Sequence, residues 1–322
     1  MHKQLNNTDL QLSALGLGTG SYGTAIPATD AYSQLDTYLD MGGNLIDTAH
    51  VYGDWASPIP GISEVVIGDW LKKTGKRNQV VISTKGAHPR LNTMDIPRCS
   101  PSEIMSDLDA SLKNLQLDCI DMYYLHRDDP SIEAGLIINC LENAVKQGKI
   151  RYYACSNWTL ERMEKALEYS KKMNYTGFVC NQIMWSLADI KRAGIQDKSL
   201  VLMDKELYSY HEKTDLGLMA YSASAGGYFT KMAKGKVSDS LNEKYQTSAN
   251  DHIYNVLMEL HKESGISISA LSLMYIMHHP FSSVALASFS NLDQLKESVS
   301  VLEEKCPPGF AEKFKGLKEF VI

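Results

Sequence analysis

Several short apolar runs in this sequence end on a side chain that can take part in chemistry. These terminal residues are Asp47, Lys85, His126, Ser156 with Asn157, Gln182 and Tyr221. A carboxylate, an ammonium, an imidazole and a phenol can transfer protons and stabilise developing charge when they meet at one place. Alone, each is more simply explained as a solvated or locally hydrogen-bonded residue, so the interpretation depends on the elements that carry them.

The apolar runs alternate with longer segments of helical periodicity, which is typical of βα units around a parallel sheet. The predicted strands cover residues 15–18, 44–47, 80–85, 120–126, 152–156, 178–182, 218–221 and 284–287. Eight such strands close a barrel, and their carboxyl ends converge on the face that carries the active site in enzymes of this architecture. We therefore predict an α/β fold, a (β/α)8 TIM barrel with extended loops on that face, as one domain over residues 1–322.

Helix boundaries are marked by capping signals. The S-P-S-E run at 100–103 predicts a capping box with proline at the first helical position. Ser63 and Gly75 are placed to begin and to end an amphipathic helix. After the last predicted strand, Asn291 and Gln294 form a further capping pair, and a helix N-terminus there is a natural anion site.

Three segments are predicted to decorate the barrel. Residues 5–12 form an N-terminal β-hairpin around an N-N-T-D turn. Residues 187–214 form a long insertion. The polar, glycine-containing stretch 226–250 is predicted to be a mobile loop of the kind that closes over ligands.

Linear motifs run in a fixed order along nearly the whole chain. They are N-L-I-D-T-A-x-x-Y-G at 44–53, S-E-x-x-I-G-x-W-L-K at 63–72, I-S-T-K at 82–85, D-M-Y-Y-L-H at 121–126, G-K-I-R-Y-Y-A-C-S-N at 148–157, N-Q at 181–182, A-Y-S-A-S-A-G-G at 220–227 and S-F-S-N-x-x-Q-L at 288–295. With these motifs the sequence resembles the aldo-keto reductases, and among them the bacterial branch loosely called aryl-alcohol dehydrogenase-like. The resemblance implies a nicotinamide-dependent reduction of an aldehyde or ketone to an alcohol.

The resemblance also implies a catalytic tetrad of Asp47, Tyr52, Lys85 and His126. A carbonyl that accepts hydride becomes an alkoxide and needs a proton, and a phenol with a reference pKa of about 10 is a weak donor unless its anion is stabilised. Lys85 would stabilise the phenolate, Asp47 would keep Lys85 charged, and His126 would donate a hydrogen bond to the substrate oxygen. Tyr52 lies in a loop, where tyrosines are commonly just packing, but its spacing from Asp47 and the following Gly53 match the family pattern.

Cofactor contacts carry over from the resemblance in the same way. Ser156, Asn157 and Gln182 would hold the nicotinamide carboxamide, and Tyr221 would stack on its ring. The other implied cofactor contacts are Gly18, Thr19, Ser222, Ala223, Ser224, Gly226, Ser288, Phe289, Ser290, Asn291, Gln294, Glu297 and Ser298.

The choice between the two nicotinamide cofactors stays open. Family members selective for the phosphorylated cofactor usually carry Arg or Lys in the loop that is 288–291 here, whereas the first base in this chain is Lys296. Binding a ribose phosphate without a cation gives up charge-assisted hydrogen bonds, which are about twice as strong as neutral ones. NADPH is the family default, and NADH is the alternative.

Side chains on loops around the strand ends are candidates for substrate binding. They are Trp55, His88, Arg127, Asp128, Trp158 and Trp185. Aromatic faces beside carboxylates suit a polyhydroxylated ligand, so a sugar-type carbonyl is one hypothesis and an aryl carbonyl is the other. The alternative interpretation is that the tryptophans pack against the cofactor or the core, and that Asp128 and Asp129 cap a turn before Pro130.

Two other functions fit the same residues. A Schiff-base aldolase could use Lys85 as its nucleophile once the pKa of Lys85 is lowered. A paired Asp47 raises the pKa of a lysine and argues against that role. The second alternative is a barrel that binds the cofactor as a regulatory or partner-binding subunit with little turnover.

Composition and patterning exclude further classes of protein. The formal net charge is −6 and the Lys and Arg residues are not clustered, which argues against a nucleic-acid partner. The N-terminus lacks signal-peptide features and no apolar stretch is long enough to span a bilayer, so we expect a cytoplasmic protein with a small-molecule carbonyl substrate and no membrane partner. The six cysteines are scattered and predicted to be reduced core residues, and His278 and His279 lack partners at ligand spacing, so no metal site is predicted.

Overall fold

The computed structural model describes residues 1–317, which contain an antiparallel hairpin followed by a closed barrel of eight parallel strands. The hairpin strands are β1 (His2–Gln4) and β2 (Gln11–Ser13), and the barrel strands are β3 (Leu15–Gly18), β4 (Leu45–Asp47), β5 (Val81–Gly86), β6 (Ile120–Leu125), β7 (Ile150–Ser156), β8 (Phe178–Met184), β9 (Gly217–Tyr221) and β10 (Ser283–Ala287). Each barrel strand pairs with the next along the chain, and β10 closes the ring against β3. The predicted TIM barrel and hairpin are confirmed. The prediction of one domain over 1–322 includes residues 318–322, which lie outside the described residues.

Helices surround the barrel and cover the outer face of its strands. They are α1 (Ala28–Asp40), α2 (Ile62–Thr74), α3 (Pro101–Leu115), α4 (Ala134–Lys146), α5 (Leu160–Met173), α6 (Lys205–Thr214), α7 (Tyr228–Ala233), α8 (Asp239–Tyr245), α9 (Ser248–Ser264), α10 (Ile268–Met277), α11 (Leu292–Val299) and α12 (Phe310–Lys313), with short 3-10 turns at Lys76–Gln79, Arg192–Gly194, Ala225–Gly227 and Ser300–Leu302. In the described part of the chain, every helix is too short or too polar to traverse a bilayer.

Two capping signals have different outcomes. The capping box at the start of α3 is confirmed, because the Ser100 side chain accepts from the Glu103 amide and the Glu103 carboxylate accepts from the Ser100 amide. The predicted start of α2 at Ser63 is wrong by one residue, since the helix begins at Ile62 after a left-handed Gly61. The Ser63 hydroxyl instead donates to the Thr19 carbonyl at 2.8 Å, so it joins α2 to the barrel.

Two segments predicted to lie outside the regular barrel elements contain helices. Residues 226–250 are not a mobile loop, because they form α7 and α8 and the first turn of α9. Tyr228, Phe229 and Tyr245 bury their rings against the core, and this burial stabilises short helices whose polar composition is typical of a loop. The end of segment 187–214 is α6, the ordinary barrel helix between β8 and β9.

The barrel interior is filled with side chains, so ligands have access only at its rims. Residues from β4 to β10 and three leucines of the hairpin region, Leu5, Leu10 and Leu12, form one buried apolar cluster. The outward-facing residues of the same strands form a second cluster with the helices. The hairpin region therefore closes the N-terminal end of the barrel and leaves the C-terminal rim for chemistry.

Gly68 is expected to be required where α2 crosses the end of α3. A Cβ at Gly68 would lie 2.4 Å from the Asn114 carbonyl oxygen, which is backbone and cannot rotate away. Gly68→Ala is expected to lower the free energy of unfolding by about 1–3 kcal/mol in urea denaturation, although alanine favours helix. Gly135→Ala in α4 is the matched control, because its Cβ would meet the rotatable ring of Tyr169. Equal midpoints for the two variants would contradict this account.

Candidate active site

The ends of β4 and β5 bring a carboxylate and an ammonium together. Asp47 and Lys85 are 3% and 1% exposed, and Lys85 Nζ lies 2.6 Å from Asp47 Oδ2. Nζ also donates to the Thr48 carbonyl at 2.8 Å and to Tyr52 Oη at 3.3 Å. Burial alone would lower the pKa of Lys85, but the charge of Asp47 and the contacts with Tyr52 more than offset burial, so the pKa is raised. Lys85 is therefore a cation held against a phenol.

The second oxygen of Asp47 accepts hydrogen bonds from side chains on β5 and on β8. Asp47 Oδ1 accepts from Ser83 Oγ at 2.7 Å and from Gln182 Nε2 at 3.1 Å. These donors satisfy the carboxylate, which a buried ion pair requires. Sequence reasoning missed Ser83, although side chains two apart on a strand share a face, so its position relative to Lys85 was a usable signal.

His126 follows β6 and lies beside Tyr52, with their ring centroids 5.9 Å apart. Burial, and then the nearby His88, Arg127 and Lys85, lower the pKa of His126 well below its ordinary value, so the imidazole is neutral near neutral pH. Its Nδ1 is buried with no hydrogen-bond partner among the described residues. A proton on Nε2 avoids an unsatisfied buried donor, so Nε2 is the nitrogen that can donate to a ligand.

His88 adds a second neutral imidazole to the rim. Its ring centroid lies 4.7 Å from that of His126 in an edge-on arrangement. Burial and then the charge of Arg127 lower the pKa of His88 to about 4. Its Nδ1 lies 2.6 Å from the Pro89 carbonyl oxygen. Because a carbonyl only accepts, Nδ1 carries the hydrogen and Nε2 is an acceptor.

A hydrogen-bond network joins the ends of β6, β7 and β9. The Asn157 amide nitrogen donates to the His126 carbonyl at 3.3 Å and to Ser156 Oγ at 3.0 Å, and its oxygen accepts from Tyr221 Oη at 2.7 Å. Asn157 has a left-handed backbone, with φ of 59°. The network fixes the Tyr221 ring at the rim. With Gln182 opposite Ser156 in the sheet, hydroxyl and amide groups that match a carboxamide lie side by side.

Other predicted cofactor residues lie at the ends of β3 and β9. Thr19 is fully buried, and its amide and hydroxyl both donate to the Asp47 carbonyl at 3.0 Å, so its side chain faces the protein. A Cβ on Gly18 would lie 2.7 Å from Ser288 Oγ, which shows how closely β3 and β10 approach. After β9 the chain turns sharply, with left-handed φ values at Ser222 and Gly226. Ser224 is half-buried and Ala223 is buried in this turn.

The segment 288–298 follows β10 directly and contains the start of α11. Asn291 caps α11 by accepting from the Gln294 amide at 3.0 Å, which confirms the predicted capping pair. The exposed residues of the predicted cofactor set here are Ser288, Ser290, Asn291, Gln294 and Glu297, whereas Phe289 is buried. Ser298 does not share their surface, because it is buried with its hydroxyl 2.7 Å from that of Ser269 on α10.

The predicted substrate residues separate into rim and buried positions. Trp55 is 57% exposed with its ring 6.3 Å from that of Tyr52, and it lies at the rim as expected. Trp158 is fully buried and donates from Nε1 to the Arg127 carbonyl at 3.3 Å. Asp128 forms a two-point ion pair with Arg162 of α5. The placement of Trp158 agrees with the packing alternative. Of the two aspartates expected in that alternative to cap a turn, Asp129 does so by accepting from the Ser131 amide and hydroxyl, whereas Asp128 pairs with Arg162.

Trp185 is also buried, within an aromatic cluster that includes Tyr208, Tyr275, His279 and Phe281. Its ring centroid is 4.4 Å from that of His279. The Nε1 of Trp185 and the Nε2 of His279 are buried without hydrogen-bond partners among the described residues. Trp185 therefore packs between sheet and helices instead of lining the rim.

His279 is expected to make the fold sensitive to acid. Burial, and then Lys3 and His278, lower the pKa of His279 to about 3. Below the unfolded value of about 6.5, the unfolded chain gains a proton that the folded chain does not, so stability falls as pH falls. His279→Phe is expected to reduce the loss of unfolding free energy between about pH 7 and about pH 5 by about 1–2 kcal/mol, measured by urea denaturation. Parallel losses in variant and parent would refute this role.

Among residues 1–317, no group of three or more His, Cys, Asp or Glu side chains is placed to hold a metal ion. The rim instead provides a cation-bound phenol, a neutral imidazole donor and a row of carboxamide-matching groups. This arrangement can donate a proton and stabilise charge on an oxygen atom while a nicotinamide is held nearby. The fold and the rim side chains together are those of a barrel oxidoreductase.

Comparison with known proteins agrees with that class. The model described as "Aldo/keto reductase family" matches residues 14–319. The chain is 28% identical over 306 residues to Uncharacterized oxidoreductase YrpG of Bacillus subtilis (strain 168), covering 93% of this chain and 90% of that protein. It is 26% identical over 319 residues to the Probable voltage-gated potassium channel subunit beta of Oryza sativa subsp. japonica, covering 94% and 91%. A crystal structure of the thermostable aldo-keto reductase Tm1743 with the inhibitor epalrestat shares the fold, with a TM-score of 0.71, 24% identity and coverage of 99% and 100%.

The chain belongs to the aldo/keto reductase family. It is accordingly an NAD(P)H-dependent oxidoreductase.

Proposed function

We propose that this protein reduces an aldehyde or ketone to an alcohol, with Tyr52 as the proton donor. The observation that carries the proposal is the 3.3 Å contact between Tyr52 Oη and Lys85 Nζ, whose charge is held by Asp47. The cofactor supplies the hydride. Tyr52 gives its proton to the nascent alkoxide oxygen, and the ammonium of Lys85 stabilises the phenolate that remains.

His126 orients the carbonyl in this proposal. As a neutral imidazole it donates a hydrogen bond from Nε2 to the carbonyl oxygen, where negative charge develops. The depressed pKa of His126 keeps the ring from becoming a competing acid near neutral pH. The protein therefore separates two tasks, with proton donation by Tyr52 and charge stabilisation by His126.

The residues around the rim support a nicotinamide cofactor bound across the ends of β7 to β10. Ser156, Asn157 and Gln182 would bind the carboxamide, and the ring of Tyr221 would face the nicotinamide. The helix start at 288–298 would take the adenosine end. We propose NADPH as the preferred cofactor because it is the family default. NADH is the competing choice, because residues 288–291 include no Arg or Lys and the first exposed cation after them is Lys296.

Two other functions, a Schiff-base aldolase and a cofactor-binding subunit, differ in how well they fit the observations. The raised pKa of Lys85 keeps its amine protonated, which disfavours the Schiff-base aldolase. The similarity to a probable channel subunit from rice favours, as a second candidate, a cofactor-binding subunit with little turnover. Steady-state turnover separates this candidate from a reductase.

The proposal is tested by cofactor binding followed by turnover. Quenching of reduced-cofactor fluorescence with NADPH and with NADH gives the two affinities. A panel of sugar-type and aryl carbonyls is then followed by cofactor oxidation. Turnover of at least one substrate class supports carbonyl reduction, whereas tight cofactor binding without turnover across the panel would favour the subunit.

A further inference from the structure

An irregular segment crosses the carboxyl ends of several barrel strands. Residues 186–204, which connect β8 to α6, are called the strap below. The Met184 amide donates to the Val201 carbonyl at 3.0 Å and the Met203 amide donates to the Met184 carbonyl at 3.2 Å, so the strap pairs with the end of β8. The Val201 amide donates to Asn157 Oδ1 at 3.1 Å, which ties the strap to the end of β7.

The strap is joined to the end of β6 by Arg127, the residue after His126. Arg127 donates from Nη2 to Asp197 Oδ2 and from Nε to Ser199 Oγ, each at 2.9 Å. Arg127 Nη1 donates to the His126 carbonyl at 2.8 Å. Asp197 Oδ1 in turn accepts from the amide and hydroxyl of Ser199. One guanidinium therefore joins the strap to the backbone of His126.

The other end of the strap is fixed to the helices that follow β9. The Asp189 amide donates to Asn250 Oδ1 at 2.8 Å, and Asn250 Nδ2 donates to the Asp189 carbonyl at 2.8 Å. The Lys191 amide donates to the Lys244 carbonyl at 2.8 Å. A Cβ on Gly194 would lie 2.5 Å from the Glu243 carbonyl oxygen, so the strap touches α8 at backbone distance. Both ends of the segment are anchored.

The strap lies beside the rim residues that follow β4 and β5. It contacts the ends of β6, β7 and β8 through Arg127, Asn157 and Met184, while Tyr52 and His88 lie on the loops after β4 and β5. Burial has the largest effect on the pKa values of His88 and Tyr221, and the charge of Asp197 also acts on both, so the strap lies within electrostatic range of these rim side chains. A change in the position of the strap would therefore alter the surroundings of the rim.

We propose that the ion pair between Arg127 and Asp197 is a latch that holds the strap as a fixed wall of the substrate pocket. Asp197 and Ser199 are then specificity-determining residues that favour compact carbonyl substrates. The two charges neutralise each other, so the wall presents no net charge to the substrate. This inference rests on the proposed carbonyl reduction.

These contacts argue against a substrate-binding role for Arg127. The sequence suggested it as a substrate-binding residue, but three of its nitrogens already donate to His126, Asp197 and Ser199, and it is 8% exposed. A substrate anion would have to displace Asp197 to reach the guanidinium. Arg127 is therefore a positioning residue for the strap and for His126.

Asp197→Asn tests the latch with little change in size. Hydrogen exchange of the amides in 195–203, measured by mass spectrometry without substrate, is expected to speed up by about threefold to tenfold when the ion pair is lost. Asp109→Asn is the matched control, because it breaks the ion pair between Asp109 of α3 and Lys149 in the turn before β7. Exchange in 195–203 at the parent rate would overturn the latch.

The pocket-wall role is tested by selectivity. The ratio of kcat/KM for a bulky aryl ketone to that for a small aldehyde is expected to rise by about threefold to tenfold in Asp197→Asn, and to stay at the parent value in Asp109→Asn. Ser199→Ala removes hydrogen bonds but no charge and should shift the ratio in the same direction, by less. Faster exchange with an unchanged ratio of kcat/KM values would contradict the pocket-wall role of the strap but would not bear on the proposed carbonyl reduction. Absence of turnover in the parent would instead defeat the proposed function, and the exchange comparison would still decide the latch.

Discussion

Tyr52→Phe is expected to lower turnover by about a hundredfold to ten-thousandfold while leaving cofactor affinity nearly unchanged. The substitution removes one oxygen atom, and with it the proton that the alkoxide requires. The ring that packs beside Trp55 and His126 remains. Because the hydroxyl acts in the transition state more than in binding, kcat should fall more than KM rises.

The measurement is cofactor oxidation under saturating substrate, with cofactor affinity followed by fluorescence quenching. Tyr32→Phe on α1 is the matched control, because it removes a hydroxyl from a half-buried tyrosine away from the rim. Parent turnover in Tyr52→Phe would remove Tyr52 from its role as donor. A large loss of cofactor binding would show instead that the hydroxyl acts through the cofactor site.

Lys85→Met is expected to abolish turnover and to lower the free energy of unfolding by about 3–5 kcal/mol. The ammonium neutralises Asp47 in a site where both side chains are almost fully buried. Without the ammonium, Asp47 keeps its hydrogen bonds from Ser83 and Gln182 but loses its counter-charge. An uncompensated buried carboxylate is costly because the low-dielectric interior solvates it poorly.

The double variant Asp47→Asn with Lys85→Met separates stability from catalysis. It removes both charges, so the urea midpoint should recover most of the loss seen in Lys85→Met, while turnover should stay absent because the phenolate has no cation. Asp36→Asn, which breaks a partly exposed ion pair with Lys76 but keeps an oxygen that can accept from Trp70 Nε1, should change stability by only about 1 kcal/mol or less. If the double variant were no more stable than Lys85→Met, the ion pair would not explain the stability of the site.

The sequence predicted the elements that carry the site because their signals are local. Alternation of apolar runs and helical segments predicts the barrel, and the S-P-S-E run at 100–103 predicts the start of α3. The I-S-T-K motif places Lys85 near the end of β5, and Asp47, at the end of the neighbouring β4, is its ion-pair partner. Period, spacing and capping depend on neighbours along the chain, so they can be read without coordinates.

Contacts between loops could not be predicted, because no local sequence pattern indicates them. Arg127 and Asp197 are separated by 70 positions, and nothing near either residue indicates that they pair. Trp158 and Trp185 follow strands as rim residues would, yet both are buried. The helices in 226–250 form because their aromatic rings reach a core supplied by distant residues.

The strand pattern and the motifs were enough to predict the barrel and the residue types at its rim, since strand order in this fold brings the strand ends to one face whatever the loops do. Which rim side chains are available to a ligand, and which are used in packing, is visible only in the folded chain, because burial and ion pairing depend on what the long connections bring into contact. For Arg127 and Trp185 that contact is made by segments far away in sequence.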